Sequence, residues 1–410
     1  MLAGKNQMND FSNRNSFYAS DDKKKTKKKK WLKIALIILA VFFVIGGVIA
    51  FKTGYVLNKI STKGGLFSSL IHSVPGVGDT IKGEKEGRIN ILLLGMRGEN
   101  VPGGGLLADT IMLVSIDTQD NKVAMISIPR DLYVQVPGTE NKEKINAVYA
   151  HGMERGKEGG IEDMEKVVGD ITGLPIHYGI SINFKGFTDL VNAVGGIDIT
   201  LDKPFTEALQ FNEDHICDGD KGGVFTTPTG KYKTDYYVRK DGTKYVTGQY
   251  PLCTNSNPEC GGNFQLPAGA NHLNGDIALC YARARYGSSD FERAKRQQLV
   301  IQKIKDKATS VGTLSDFEKI NSMLNALGDN VRTDMQAWEM KKMFSIYQKM
   351  QSPQIIQRVL EDSEEGLLYA PPETNGAGYI LLPRGDNYDK IKNLFQNVFT
   401  LGSQSDAKPK

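Results

Sequence analysis

The stretch Leu279–Gln298, LCYARARYGSSDFERAKRQQ, gathers guanidinium groups around one carboxylate. Arg283 and Arg285 stand one residue apart, and after a short turn Asp290, Arg293 and Gln297 recur at helical spacing. Guanidinium forks match phosphate oxygens two at a time, so the chemistry this set fits is recognition of a phosphate or diphosphate. Asp109 opens the apolar run ADTIML, and Arg130 and Asp131 close ISIPRDLY. These are expected strand ends, where the ligand clefts of α/β domains lie. Carboxylates there suit a hard divalent cation such as Mg²⁺. The same residues also read as a ligand-free salt-bridge network, with Asp290 paired to Arg293 or Arg285 and Arg130 beside Asp131. At this level both readings stand.

The elements that must position these groups follow from periodicity. IALCYARAR reads as a strand, with Tyr281, Arg283 and Arg285 on one face and Cys280, Ala282 and Ala284 on the other. Ser289 is placed to cap the next helix, with Glu292 as its reciprocal partner. On that helix Asp290, Arg293 and Gln297 share a stripe continued by Ile301, Ile304 and Ala308. The polar end of the stripe must face an ion set or a ligand pocket, and a helix N-terminus favours an anion. Upstream, RINILLLG is a buried strand, and DTIMLVSI and KVAMISI form a hairpin around DTQDN. GGIEDMEKVVGDITG is a helix, PIHYGISI a strand, NFKGFTDLVNAVGG a helix and IDITL a further strand. The alternation implies an α/β fold with a mixed central sheet flanked by helices. The glycine-rich GMRGENVPGGG has neither a GK[ST] ending nor a GxGxxG pattern, so it is no ATP or NAD loop.

The chain of 410 residues carries a net charge of +4, unevenly spread. Residues 1–30 hold nine basic against three acidic side chains, whereas from Phe51 onward 41 basic face 44 acidic. A nearly neutral body argues against nucleic acid as the partner. Residues 1–30 read as a disordered tail ending in KKKTKKKK. Residues 31–51 follow, uncharged from Ile34 onward and roughly 30 Å long as a helix, enough to cross a bilayer. FKTGY after the apolar run offers no small-residue cleavage site, which favours a retained anchor over a signal peptide. Seven lysines before the span put the N-terminus in the cytoplasm, near anionic membrane lipid, and the large domain outside. Residues 52–87 then form a stalk, and 88–308 the main domain with an insertion at about 202–268. Residues 309–397 are a helical extension packed on it, with core-filling Met323, Met340, Met343 and Met350, and 398–410 a second tail. Of the four cysteines, Cys253 and Cys260 close a short loop and are the expected disulfide, leaving Cys217 and Cys280 as buried thiols. No CxxC spacing supports zinc.

In order along the chain, INILLLG, DTIMLVSID, ISIPRDLYVQVPG, KINAVYAHG, NFKGFTDLVNAVGGIDI, LPAGANHLNGDIALCYARAR and DFERAKRQQ resemble the LytR-CpsA-Psr family of bacterial cell-envelope proteins. The resemblance runs from Arg88 to Ala308. It implies transfer of a glycopolymer from a polyprenyl pyrophosphate carrier to peptidoglycan through a phosphodiester link, at an external, membrane-anchored domain. It further implies that Arg130, Lys144, Arg283, Arg285, Arg293 and Gln297 bind the pyrophosphate, that Asp109 and Asp131 hold Mg²⁺, and that Asp290 orients the arginines or the metal shell. Asp109 is also the candidate base for the attacking hydroxyl. Two positions depart from the family pattern: Ala108 stands where many members have arginine, and Arg97 where they have aspartate. These departures leave open a catalytically silent protein that binds or scaffolds lipid-linked envelope intermediates. A transcriptional attenuator, the third reading, lacks a helix-turn-helix pattern.

Overall fold

The computed structural model describes residues 80–99, 105–207, 215–217, 227–254, 264–285, 287–310, 327–350, 352–363, 366–372, 374 and 376–403. The expected tail, membrane span and most of the stalk lie outside these residues, as do Cys260, Met323 and most of the segment LSDFEKINSMLNAL. Among the described residues no helix is long and apolar enough to cross a membrane.

β1 (Arg88–Gly98), β2 (Gly105–Asp117) and β3 (Lys122–Ile128) form an antiparallel meander. A short ladder of β4 (Tyr133–Gln135) and β5 (Lys142–Lys144) leads into α1 (Ile145–Glu154) and α2 (Gly159–Thr172). β6 (Tyr178–Asn183) runs parallel to β1 and passes directly into α3 (Phe184–Ala193), with the Asn183 side chain accepting from Gly186 N at 2.8 Å as the cap. Next come β7 (Ile197–Leu201), β8 (Phe205–Glu207), β9 (His215–Ile216), β10 (Thr227–Val238), β11 (Lys244–Thr254), β12 (Phe264–Leu266) and β13 (Gly269–Leu273). α4 (Gly275–Arg283) and α5 (Asp290–Ser310) follow, and then β14 (Val331–Thr333), α6 (Ala337–Lys349) and β15 (Gln354–Val359). β16 (Leu368–Tyr369), β17 (Leu382–Pro383), α7 (Asp389–Gln396) and α8 (Val398–Leu401) close the chain.

The central sheet has the order β14-β6-β1-β2-β3-β15 and is mixed, as the alternation of elements implies. β1, an inner strand of that sheet, is buried on both sides, which is why it reads as an unbroken apolar run. Leu92, Leu94 and Met96 face a core shared with α1, α2 and α7. Ile89, Ile91 and Leu93 face the opposite layer, where Met335, Trp338, Met340 and Met343 pack. The methionines are core filling, as expected there. The segment after residue 308, however, is not only helical. It supplies both outer strands of the central sheet, β14 against β6 and β15 against β3. IDITL is a strand outside that sheet, paired with β13 from Ile197↔Leu273 to Leu201↔Gly269.

Three further expectations are corrected. IALCYARAR is mostly helix, not strand: Asn274 caps it by accepting from Ile277 N at 2.9 Å, and Ala278, Cys280, Tyr281 and Ala282 are all buried. Small residues let this helix pack tightly against α3 and the Phe205 ring, which meets Tyr281 edge-on at 5.1 Å. On α5 the buried side chains are Arg293, Arg296, Gln298, Val300 and Ala308, and Ile304 packs partly buried against the same core, so the covered face keeps much of the expected stripe and widens to Arg296, Gln298 and Val300. Gln298 explains the widening, because its amide donates to Ser127 Oγ and to Arg358 O, both at 2.8 Å, fastening α5 to β3 and β15. Finally, Cys253 is bonded to Cys217, not to Cys260. The pairing of β9 with β11 sets Cys253 opposite His215, which brings the Cys217 Cα within 5.1 Å. Cys280 is disulfide-bonded as well, and no free thiol remains among the described residues.

Candidate active site

The site forms at the end of the sheet where β1 and β3 finish, β2 begins and α3 starts. The β1–β2 register moves from Gly95↔Thr110 directly to Met96↔Ala108, so Asp109 is the extra residue of a β-bulge. A bulge bends its strand and re-aims a side chain. Here it presents the Asp109 carboxylate to Arg130, whose Nη1 donates to Asp109 Oδ1 at 2.7 Å. Arg130 and Asp131 leave β3 through the Pro129 turn, and that turn is pinned by Leu132 N donating to Pro129 O at 3.1 Å. Lys144, at the end of β5, donates to Asp131 Oδ1 at 2.9 Å.

The opposite wall comes from α4 and α5. Ser289 Oγ accepts from Glu292 N at 3.1 Å, which starts α5 as the cap pattern implies. Asp290 then holds three arginines: its Oδ1 lies 3.3 Å from Arg293 Nη1 and 3.6 Å from Arg285 Nη1, and its Oδ2 lies 3.6 Å from Arg130 Nε. Arg293 also donates to Asp109 O at 3.4 Å. Arg283, the last residue of α4, stacks its guanidinium over the Phe184 ring at 4.5 Å. Asp109, Arg130, Asp131, Lys144, Arg285, Asp290 and Arg293 are thus one connected set, with Arg283 at its edge.

Burial and charge set the behaviour of these groups. Burial works against the charge of Arg130, but Asp109, Asp290 and Asp131 outweigh it and hold the guanidinium above its ordinary value. Burial lowers Arg293, partly offset by Asp290. Arg283 is pushed down to about 10 by burial and then by the neighbouring Arg97, with Asp109 opposing. Arg97 therefore sits close to the cluster, and the named residues comprise six cations against three carboxylates. Cations outnumber carboxylates among these named residues, and Arg97, Arg283 and Arg285 have further partners besides them. Arg130 Nε and Arg293 Nε are buried without a hydrogen bond, although two carboxylate oxygens lie 3.5 and 3.6 Å from the former. Guanidinium groups fixed in this way are of the kind that pair with phosphate oxygens.

Gln297 does not join the cluster as expected; its amide donates to Ala282 O at 3.3 Å and ties α5 to α4. The next residue back, Arg296, was missed by the periodic reading. Its Nε donates to Tyr281 O at 3.2 Å and its Nη2 to Ser288 Oγ at 3.1 Å and to Ala284 O, so it closes the end of α4 and shapes the turn that carries Arg285. Phe184 was likewise missed as the platform under Arg283, although its place just after a capping asparagine was visible. Tyr379 also stands within the electrostatic reach of Asp131 and Asp290, donating to Asp362 Oδ2 at 3.0 Å. No local signal predicts that contact across the chain. Ala108 is fully buried in the apolar core opposite Met96, so its side chain adds nothing to the charged cluster.

Among the described residues, no three acidic, histidine or cysteine side chains gather as a ready-made metal cage. Asp109 and Asp131 supply oxygen atoms of the type Mg²⁺ takes in phosphate chemistry, and in this structure those carboxylates are engaged by Arg130 and Lys144.

A mixed central sheet flanked by helices, with a cluster of arginines and carboxylates at its strand ends, defines the class of α/β protein. The chain belongs to the LytR_cpsA_psr family, whose model matches residues 68–395. It is 28% identical over 316 residues to the polyisoprenyl-teichoic acid–peptidoglycan teichoic acid transferase TagV of Bacillus subtilis strain 168, covering 76% of this chain and 65% of that one. It is 29% identical over 271 residues to the transferase TagU of Bacillus mycoides strain KBAB4, covering 64% and 67% respectively. The match with TagV thus spans just under two thirds of that relative's length. In fold, it resembles the crystal structure of protein gbs0355 from Streptococcus agalactiae, with a TM-score of 0.52, 22% identity and coverage of 79% of this chain and 91% of that one.

Proposed function

We propose that this chain transfers a glycopolymer from a polyprenyl diphosphate carrier to a hydroxyl of peptidoglycan, leaving a phosphodiester link. The observation that carries the reading is the convergence of Arg130, Lys144, Arg285 and Arg293 on Asp109, Asp131 and Asp290 at one end of the sheet, with Arg283 at its edge. The names of its relatives, teichoic acid transferases acting from a polyisoprenyl carrier to peptidoglycan, support the substrate class.

In this reading the acceptor oxygen attacks the phosphorus nearer the sugar. The bond from that phosphorus to the bridging oxygen breaks, polyprenyl phosphate leaves, and the hydroxyl proton passes to a carboxylate, for which Asp109 is our assignment. No nucleotide is required, because the carrier's anhydride supplies the driving force. The arginines orient the diphosphate and neutralise charge on the equatorial and leaving oxygens, which is most of the work in phosphoryl transfer. Asp290 fixes the forks of Arg285 and Arg293 in place before substrate arrives. Mg²⁺, held by Asp109 and Asp131 when bound, would supply further charge neutralisation at the phosphate oxygens. We place the site outside the cell on a single-pass anchor, from the lysine run before the apolar segment at 31–51.

The test uses the full chain in detergent with a lipid-linked donor, peptidoglycan and Mg²⁺. Polyprenyl phosphate release that stops in the Arg283→Ala/Arg285→Ala protein and with a chelator supports the proposal. Tight donor binding without release would make the chain a binding protein and overturn it.

A further inference from the structure

β10 and β11 form a two-stranded ribbon, paired from Thr227↔Thr254 to Val238↔Lys244 and closed by a turn in which Arg239 N donates to Thr243 O at 2.9 Å. Tyr232, Tyr236, Tyr237, Tyr245 and Tyr250 on it are 40% to 63% exposed, whereas Tyr149, Tyr178 and Tyr281 in the body are buried. Tyr236 stands opposite Val246 and Tyr237 opposite Tyr245, and neighbouring positions alternate between faces, so both faces carry exposed rings. Cations are interleaved with them: Arg239 lies over the Tyr245 ring at 4.7 Å and Lys244 over the Tyr236 ring at 6.0 Å. Over the ribbon five basic side chains face two acidic ones, Asp235 and Asp241.

From this surface we infer that the ribbon binds the anionic glycopolymer itself, at a distance from the diphosphate end that the arginine cluster handles. The inference rests on the function proposed above. Each part of such a polymer has a counterpart on the ribbon. The C–H face of a sugar ring lies against an exposed tyrosine, and its repeating phosphates meet the lysines and the outward donors of a ring-stacked arginine. The competing surfaces fit less well. A bilayer would require one apolar face, but here the rings occupy both faces and the remaining large apolar side chains are few. A second ribbon would set lysine edge against lysine edge.

The insertion also departs from the body in the right place. β8 and β12, which flank it, pair with each other, and Glu207 Oε2 of β8 accepts from Gly287 N at 3.0 Å in the turn after Arg285. The segment that leads to the ribbon is therefore fastened to the rim of the candidate active site.

The full chain in detergent, titrated into a fluorescently labelled, lipid-free glycopolymer of hexose rings joined by phosphodiesters, tests the inference. The expected result is binding that weakens as salt rises from about 0.05 to about 0.5 M, that neutral dextran does not displace, and that the Tyr232→Ala/Tyr236→Ala/Tyr237→Ala variant loses by at least about tenfold. These positions are exposed, so an unchanged melting temperature checks the fold. Transfer from a donor bearing one or two sugars should be unaffected in the variant, while the KM for a long-chain donor rises. If the unaltered chain transfers neither donor, the proposed function fails, and the binding titration still judges the ribbon by itself. Unchanged affinity in the variant overturns the inference. So does displacement by dextran, tighter binding of a single-stranded oligonucleotide of equal charge, or a variant effect confined to self-association or vesicle binding.

Discussion

Arg130 Nη1 meets Asp109 Oδ1 at 2.7 Å, joining the bulge of β2 to the turn that ends β3. The same guanidinium lies near Asp131 and Asp290, so one planar group spans three carboxylates from three parts of the chain. An ammonium is a point charge and cannot span them. Arg130→Lys should therefore behave like Arg130→Ala. Both should lower kcat for polyprenyl phosphate release by about 10²–10³-fold, the usual loss when a fixed charge-stabilising donor is removed. Steady-state rates of the two variants decide the point, and recovery of more than half the activity by lysine would show that charge alone suffices.

Asp290 calls for a different expectation, because it orients arginines without itself binding an anion. Asp290→Asn removes a negative charge from a cluster already rich in positive charge, while loosening the forks of Arg285 and Arg293. Diphosphate binding should hold or tighten, and kcat should fall by about 10–100-fold. Calorimetric titration of a short isoprenoid diphosphate, set beside turnover, separates the two effects. Equal losses in both would make Asp290 a purely structural residue.

Much of this site was legible in the sequence because its parts are local. The arginines, their carboxylates and the Ser289 cap lie in short segments, and strands buried on both faces announce themselves as apolar runs. What was misread was misread for a physical reason. In IALCYARAR small and large residues alternate by chance with period two, and the capping Asn274 with Ala-rich helix propensity outweighs that pattern. The buried face of α5 turned on Gln298, whose partners on β3 and β15 no local window contains. The Cys217–Cys253 bond likewise depends on strand register, while loop length alone favoured the nearer cysteine.

His177 gives a pH signature of stability. Asn90 N donates to its Nδ1 at 2.9 Å, so the ring must be neutral with that nitrogen bare, and burial holds it below its ordinary value of 6.5. As pH falls below 6.5, the unfolded chain takes up a proton that the folded chain resists. This contribution to stability is complete above 6.5, declines as pH falls, and levels off once the folded ring is protonated too. His177→Asn keeps an acceptor without titrating. Between pH 7.5 and 5.5 the unaltered chain should lose more melting temperature than this variant, and equal losses would remove His177 from the account.

The Cys217–Cys253 bond closes a span of 36 residues, which in a loop-entropy estimate is worth about 4 kcal/mol to whatever unit it holds. That unit is the ribbon rather than the body. β11 pairs with β9 beside the bond, and the exposed rings of β10 and β11 lie outside the body's cores. Removing the bond should release the ribbon locally and leave the central sheet intact. In the Cys217→Ser/Cys253→Ser variant, limited proteolysis should cut within residues 227–254 at least about tenfold faster than in the unaltered chain, a floor below the roughly 10³-fold that the full loop entropy corresponds to. The main thermal transition and turnover of a short donor should stay in place. A main transition lowered in step with the cleavage would mean that the ribbon and the sheet melt as one cooperative unit.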